Sequence, residues 1–222
     1  MLTKFLVALD GTKESEVVLP YVAKLASGLN ASVVLHTSVE RSSNRGLGTL
    51  DSQLVDRVEA AARGRLKEIM GQAAFKRVEV TAWVSSGSPT EDIVGVAEDR
   101  DCDLIAISTH GRSALARGVL GSVTDKVVHS TNIPVLTMTY ERAETYHDPK
   151  SALTRVLVPL DGSPLAETVL PYVKKLGRQL MMSALLVRVV QPLHLFSMDT
   201  RPEGLDQENR AAESEATEYL KA

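Results

Sequence analysis

The chain has 222 residues, with 44% apolar and 24% charged side chains, the balance of a folded globular protein rather than of a disordered one. Its net charge of −3 comes from 25 basic and 28 acidic residues, and their near balance gives no electrostatic footprint for nucleic acid or for an anionic membrane. No run reaches the roughly 18 apolar residues of a membrane span, and the N-terminus lacks a secretory signal pattern. We therefore expect a cytoplasmic protein without nucleic-acid or membrane partners.

Strand and helix patterns alternate through residues 1–140. Short apolar runs predict strands at residues 5–9, 32–39, 78–84, 104–108 and 134–138, with an apolar helical period between each pair. Ser88-Pro89-Thr90-Glu91 has the pattern of a capping box, and Ser122 is expected to cap the helix before the last strand. This alternation predicts an α/β domain with an open, doubly wound, five-stranded parallel sheet.

The chain also contains a partial internal repeat. The run from Arg155 to Gly162 copies the first strand and its turn, and Val169-Leu170-Pro171-Tyr172-Val173 copies residues 18–22 at the same offset of 151 residues. The predicted organisation is a first domain at residues 1–140, a polar linker at 141–152 and an incomplete second copy (βαβα) at 153–222.

The predicted site lies in two turns at the carboxyl ends of central strands, where ligands bind in open α/β sheets. Asp10-Gly11-Thr12 follows the first strand, and the turn that contains Thr109, Gly111 and Arg112 follows the fourth. A phosphate needs backbone N–H groups that no Cβ obstructs, and the start of a helix adds unpaired donors. The segment of Gly121, Ser122 and Val123 therefore resembles one half of an anion cradle, with Gly111 and Arg112 as the other.

These residues resemble the nucleotide motif of the universal stress protein family, G-x2-G-x9-G-[S/T]. Gly111, Gly121 and Ser122 match its second glycine, third glycine and hydroxyl, while Ser108 stands at the first glycine position. The resemblance implies a sheet order of 3-2-1-4-5 and a bound ATP or related adenine nucleotide, with or without Mg²⁺. By the same resemblance Asp10 is a ribose-side or metal-side carboxylate, with Gly11 and Thr12 beside it, and Val39 borders the adenine.

Other interpretations stay open at this point. Asp10 alone also fits a turn or helix-capping acid, which capping preferences favour. The leading function is a regulatory nucleotide-binding module for stress response; the alternatives are a slow ATPase or nucleotidyl-transfer enzyme and a nucleotide-free dimeric scaffold. The sequence lacks a G-x4-G-K-[ST] loop, which weighs against the enzyme. Because strand five is an apolar edge and the second copy is incomplete, we also expect a homodimer or higher oligomer.

Overall fold

The computed structural model describes residues 2–40, 52–109, 121–139, 153–191 and 205–221. Its contacts divide the chain into two compact units, residues 1–152 and residues 153–222. The predicted linker at residues 141–152 lies outside the described residues. Within the described ranges, no helix is long and apolar enough to cross a membrane.

The first unit is built on five parallel strands: β1 (Lys4–Ala8), β2 (Ser32–Val39), β3 (Val80–Ser86), β4 (Leu104–Thr109) and β5 (Val135–Thr139). Their order in the sheet is β3-β2-β1-β4-β5, which confirms the predicted fold class and strand order. Phe5, Leu6 and Val7 of the central strand are fully buried. Burial on both faces explains why this strand is a continuous apolar run rather than an alternating one.

Four helices connect these strands: α1 (Leu19–Leu29), α2 (Ser52–Met70), α3 (Pro89–Asp99) and α4 (Ser122–Ser130), with short 3₁₀ helices at Ser15–Val18 and Ala73–Phe75. Leu6, Val34 and Ile105 form one core with Ile93 of α3 and Val127 of α4. The alternate side chains of β1 and β2 point to the other face, where α1 and α2 contact these strands. The helices thus change sides between β1 and β4, as in a doubly wound sheet.

At α3 the predicted N-cap position, Ser88, and the predicted proline at the first helical position, Pro89, are confirmed, whereas the capping hydrogen bond is not found. Ser88 precedes the first residue of α3, but its side chain makes no capping hydrogen bond; its carbonyl accepts from the Asp92 N–H at 2.9 Å. The N-cap of α4 is Gly121 rather than Ser122, which is already helical. The hydroxyl of Thr124 in this first turn donates to the Ser108 carbonyl at 3.2 Å, so it ties α4 to the end of β4 instead of capping the helix.

The second unit repeats the first strand–helix–strand segment. It contains β6 (Arg155–Pro159), α5 (Pro164–Glu167), α6 (Leu170–Leu180), β7 (Ser183–Val187) and α7 (Leu205–Tyr219), and the two strands form a parallel pair. Val158, Leu160 and Val173 are its buried core. The core is small because only one face of this two-stranded sheet is covered by the described helices.

Candidate functional site

A cavity of about 540 Å³ lies in the first unit at the carboxyl ends of β1, β2 and β4. Its walls include Asp10 after β1, His36 and Ser38 of β2, Ile93 of α3 and residues 121–124 at the start of α4. We call it the strand-end cavity. It occupies the point where the winding of the sheet reverses, which is where open α/β sheets bind ligands.

The turn after β1 is held by its own side chains. The Asp10 carboxylate accepts hydrogen bonds at Oδ1 from the Thr12 N–H at 3.0 Å and from the Thr12 hydroxyl at 2.6 Å. Gly11 between them has a φ of +80°, a conformation that favours glycine. In turn, the Thr12 hydroxyl oxygen accepts from the Ser15 N–H at 3.2 Å. Asp10 therefore holds the turn, and it also lies at the wall of the strand-end cavity.

The start of α4 forms another wall of the strand-end cavity, through Gly121, Ser122 and Val123. The first-turn N–H groups of a helix lack intrahelical acceptors, and the helix dipole adds positive potential there. Gly121 has φ −58° and ψ 150°, values open to any residue, so the backbone conformation does not require glycine at this position. The first-turn N–H groups and the dipole of α4 suit an anion that approaches the backbone closely.

The remaining predicted site residues are placed differently. Gly11 and Val39 line a second cavity of about 520 Å³ beside α2, which we call the α2 cavity. Thr12 and Thr109 line neither cavity, and the Thr109 hydroxyl donates to the Met138 carbonyl at 3.5 Å. Gly111 and Arg112 lie outside the described residues.

The cation of the α2 cavity is already paired. Arg65 donates to both carboxylate oxygens of Glu16, at 2.8 and 2.7 Å, and to Glu68 at 2.8 Å. These hydrogen bonds, that to Glu16 first, raise the pKa of Arg65. A phosphate in this cavity would have to compete with two carboxylates for that guanidinium. The α2 cavity is therefore the weaker candidate for a phosphate.

Polar residues of β2 and β3 that the motif analysis did not single out lie beside the strand-end cavity. His36 is fully buried, and its Nε2 lies 2.9 Å from the Ser85 hydroxyl. Ser85 donates to Asp92 Oδ2 at 2.7 Å, and Ser38 donates to the same oxygen. The sequence signal for this cluster was available: a histidine two residues before a serine, directly after the apolar run of residues 33–35 in a predicted strand.

Burial determines the charge state of His36. Burial lowers its pKa to about 4; the Asp92 carboxylate opposes that shift and the Arg100 guanidinium adds to it. The ring is therefore neutral at neutral pH. No cluster of three or more metal-ligating side chains occurs among the described residues. The strand-end cavity is thus lined by neutral and carboxylate side chains, and the start of α4 forms one of its walls.

The family follows from a comparison with known proteins. The sequence model of the universal stress protein family matches residues 1–138, more than half of the chain. The chain belongs to the universal stress protein family. This agrees with the resemblance carried by Gly111, Gly121 and Ser122.

Individual universal stress proteins match parts of the chain. Slr1230 of Synechocystis sp. is 34% identical over 136 residues, which cover 61% of this chain and 42% of that protein. MJ0577 of Methanocaldococcus jannaschii is 30% identical over 93 residues, 42% of this chain and 57% of that protein. The chain thus spans about half the length of these curated relatives.

Solved universal stress proteins share the fold. The match to a universal stress protein from Archaeoglobus fulgidus covers 98% of this chain and 74% of that protein, with 20% identity and a TM-score of 0.69. A universal stress protein solved in complex with cAMP is 19% identical, with 63% of this chain and 98% of that chain covered and a TM-score of 0.45. One solved in complex with dAMP is 20% identical, with 62% of this chain and 98% of that chain covered and a TM-score of 0.45.

Proposed function

We propose that the chain binds one adenine nucleotide, ATP or a close relative, in the strand-end cavity as a regulatory ligand in stress response. The observation that carries the proposal is that this cavity is bordered both by Asp10 and by Gly121, Ser122 and Val123. These residues come from two distant parts of the chain, and the family resemblance assigns both to the nucleotide. The second unit has no counterpart of α4 among its described residues, so we expect one site per chain.

The chemistry of the walls supports one orientation of the ligand. The first-turn N–H groups, which have no acceptor within the helix, and the dipole at the start of α4 favour the phosphates. Asp10 offers carboxylate oxygens that can accept from ribose hydroxyls. Ala8 of β1, Ile107 of β4 and Pro89 and Ile93 of α3 add apolar surface to the cavity, which suits the base.

Slow ATP hydrolysis is a second candidate function, favoured by one observation. Glu40 lines the strand-end cavity together with Asp10. Mg²⁺ binds through one or two carboxylates together with substrate phosphates, so these two side chains fit that ion. When bound, Mg²⁺ would neutralise phosphate charge; Asp10 and Glu40 would hold it.

The binding proposal is tested by calorimetry with ATP, AMP, cAMP and dAMP, and by mass spectrometry of nucleotide that copurifies with the protein. We expect about one site for ATP. Gly121→Val should abolish binding because a branched side chain would fill the space where the phosphate meets the backbone. Gly64→Val is the matched control, since a Cβ at Gly64 of α2 meets open space. Normal ATP binding by Gly121→Val would overturn the phosphate assignment.

We also propose that the protein is a homodimer or higher oligomer. Strand β5 is at an edge of the sheet, so one side of its backbone is open to pairing. In the second unit, Leu157 and Leu185 lie opposite each other on β6 and β7 and are 62% and 63% exposed. Light scattering after size-exclusion chromatography should give a multimer at micromolar concentration, and Leu157→Asp should weaken it. A monomer at that concentration would refute the proposal.

A further inference from the structure

A third cavity of the first unit lies toward the other end of the sheet from the strand-end cavity. Its volume is about 590 Å³, and its walls include Lys4 and Ser32 at the amino ends of β1 and β2, Trp83 of β3 and Arg100 just after α3. We call it the Trp83 cavity. None of the described residues that line it also lines the strand-end cavity or the α2 cavity. It is therefore a separate place where a ligand can be held.

The only tryptophan of the chain borders this cavity. Trp83 lies on β3, a strand at the edge of the sheet, and it is 44% exposed. Val96 of α3 is an apolar neighbour in the same wall. Aromatic side chains bury a large area and are prominent in the walls of ligand sites. The open indole thus offers a surface for the apolar body of a ligand.

Arg100 supplies a cation to the Trp83 cavity. Its guanidinium carbon lies 4.0 Å from the centre of the Trp83 ring, a cation–π contact that holds the planar group in place. No carboxylate among the described residues pairs with this guanidinium, whereas Arg65 is paired with two. A second cation is close by, since Lys4 Nζ donates to the Arg100 carbonyl at 2.9 Å. The N–H donors of Arg100 are therefore available to an acceptor from outside the chain.

The charged residues of the Trp83 cavity differ in depth by sign. Lys4 and Arg100 are half-buried, whereas Glu79, Asp99 and Asp101 are exposed. Water and salt screen the exposed carboxylates, and a charge that is partly removed from water interacts more strongly with a ligand. A guanidinium also matches a carboxylate in shape, because its parallel N–H groups meet both oxygens. The deeper part of the cavity therefore favours an anionic group.

We propose that the Trp83 cavity binds a small organic carboxylate with an aromatic or apolar body. The Arg100 guanidinium pairs with the carboxylate, and Trp83 and Val96 contact the body. The volume lies within the range of about 300–1,000 Å³ that is usual for small-molecule sites. The proposal goes beyond the nucleotide function and does not rest on it, because different described residues line the two cavities.

NMR titration with phenylacetate, phenylacetamide and phenethylamine tests the proposal at neutral pH. The three compounds share a phenyl ring and carry a negative, a neutral and a positive group. Because the chain has one tryptophan, its indole N–H resonance reports on this cavity. We expect phenylacetate to shift that resonance with a dissociation constant of about 1–10 mM, the scale for a ligand of about ten non-hydrogen atoms. Phenylacetamide and phenethylamine should bind about fivefold more weakly or less tightly still.

Two variants test the role of the cations. Arg100→Met removes the charge and keeps an unbranched side chain, so the preference for phenylacetate over phenylacetamide should fall to about twofold or less. Arg57→Met is the matched control: Arg57 is an exposed arginine of α2 outside the Trp83 cavity, and the variant should keep the preference. If Arg100→Met does not fold, Lys4→Met is decisive, since it should weaken phenylacetate about two- to threefold and leave phenylacetamide unchanged.

The remaining outcomes would overturn the proposal. A Trp83 resonance that phenylacetate does not shift would show that the cavity takes no such acid. Tighter binding of phenethylamine would mean that the exposed carboxylates select the ligand. An unchanged preference in both variants would remove Arg100 and Lys4 from the site. ATP should not displace phenylacetate, and displacement would place phenylacetate in the nucleotide site. If ATP itself does not bind, the nucleotide function falls and the carboxylate site is still decided by the titration.

Discussion

The two copies of the strand–helix segment bury the same strand positions to very different degrees. Leu6 and Val34 in the first unit are 0% and 4% exposed, whereas Leu157 and Leu185, their counterparts 151 residues later, are 62% and 63% exposed. In the first unit α3 and α4 cover this face, and the described part of the second unit contains no counterpart of either helix. The burial of these strands is therefore decided by helices that come much later in the chain.

The turns that follow the first strand of each unit have, by contrast, similar geometry. Asp161 Oδ1 accepts from the Ser163 N–H at 2.8 Å, as Asp10 Oδ1 accepts from Thr12, and Gly162 has a φ of +86° against +80° for Gly11. In the second unit the Arg188 guanidinium lies beside Gly162 and over the Tyr219 ring. The Asp-Gly turn thus belongs to the folding of the repeat, and only its surroundings distinguish a candidate site.

The largest expected effect distinguishes the buried strand face of the first unit from its exposed counterpart in the second. Leu6→Ala should lower the free energy of unfolding by about 3–5 kcal/mol, because it leaves a cavity in a closed core. Leu157→Ala should cost less than about 1 kcal/mol, because the side chain is already exposed. Chemical denaturation in dilute solution measures both. A similar loss for the two variants would mean that Leu157 is buried in solution, as it would be between chains.

The next effect is a pH dependence that differs between the units. Because burial places the pKa of His36 at about 4, below its ordinary value, the unfolded chain binds the proton more readily. The first unit should therefore lose about 2–3 kcal/mol as the pH falls from about 6.5 to 4, and His36→Leu should remove this loss.

The second unit has Val187 at the position of His36, and the group with a lowered pKa there is instead a carboxylate. Hydrogen bonds from the Ser163 hydroxyl and N–H lower the pKa of Asp161, so its contribution is present above the ordinary aspartate pKa and is lost only as the pH falls below it. Denaturation midpoints measured from pH 8 to pH 3 separate the two ranges. If the parent protein and the His36→Leu variant lost the same stability as the pH fell from about 6.5 to 4, the neutral, buried state of His36 would be contradicted.

A smaller effect tests the likeness of the turns. Gly11→Ala and Gly162→Ala should each cost about 1–2 kcal/mol, since an L-residue is strained at these positive φ values. Neither Cβ would meet another atom closer than 3.4 Å, so backbone strain is the common cause. Gly64→Ala in α2 is the control and should stabilise the chain slightly. Unequal losses for the two turns would show that their surroundings matter more than their geometry.

The smallest expected effect is on ATP affinity, and it distinguishes Asp10 from Asp161. Asp10→Asn keeps the oxygen that accepts from Thr12 but removes the negative charge, so the turn should persist while ATP affinity falls about three- to tenfold. Asp161→Asn should leave ATP affinity unchanged. Calorimetry with ATP on the two variants tests this. If Asp10→Asn bound ATP as tightly as Asp161→Asn does, Asp10 would have only a structural role.

Much of the fold was predictable because each strand has its own local pattern. The predicted strand at residues 32–39 agrees with β2, and the other first-unit strands are displaced by no more than two residues at either end. Ser88 is the N-cap of α3 as predicted, but its side chain makes no capping hydrogen bond, and the predicted cap at Ser122 was wrong because that residue is already helical. Such choices depend on neighbours that sequence spacing does not define.

The site was less predictable, for a physical reason. Asp10 and residues 121–123 carry local turn and helix-start signals, and the structure brings them to one cavity. His36, Ser85 and Asp92 belong to three separate elements, and only the register of β2 with β3 and the packing of α3 bring them together. The assignments of Gly111 and Arg112 stay predictions, because both lie outside the described residues.

Gly87, at the end of β3, has a consequence for how this site can change. A Cβ there would lie 2.8 Å from Asp92 Oδ1, although the backbone at Gly87 is not in the left-handed region. The side chain at position 92, rather than the local backbone conformation, is thus what disfavours a larger residue here. Any larger residue at position 87 would displace the carboxylate that orders Ser38, Ser85 and the His36 ring. Positions 87 and 92 should therefore vary together: Gly87→Ala alone loosens the hydrogen bonds among Ser38, Ser85 and Asp92, and a compensating change has to shorten the side chain at 92.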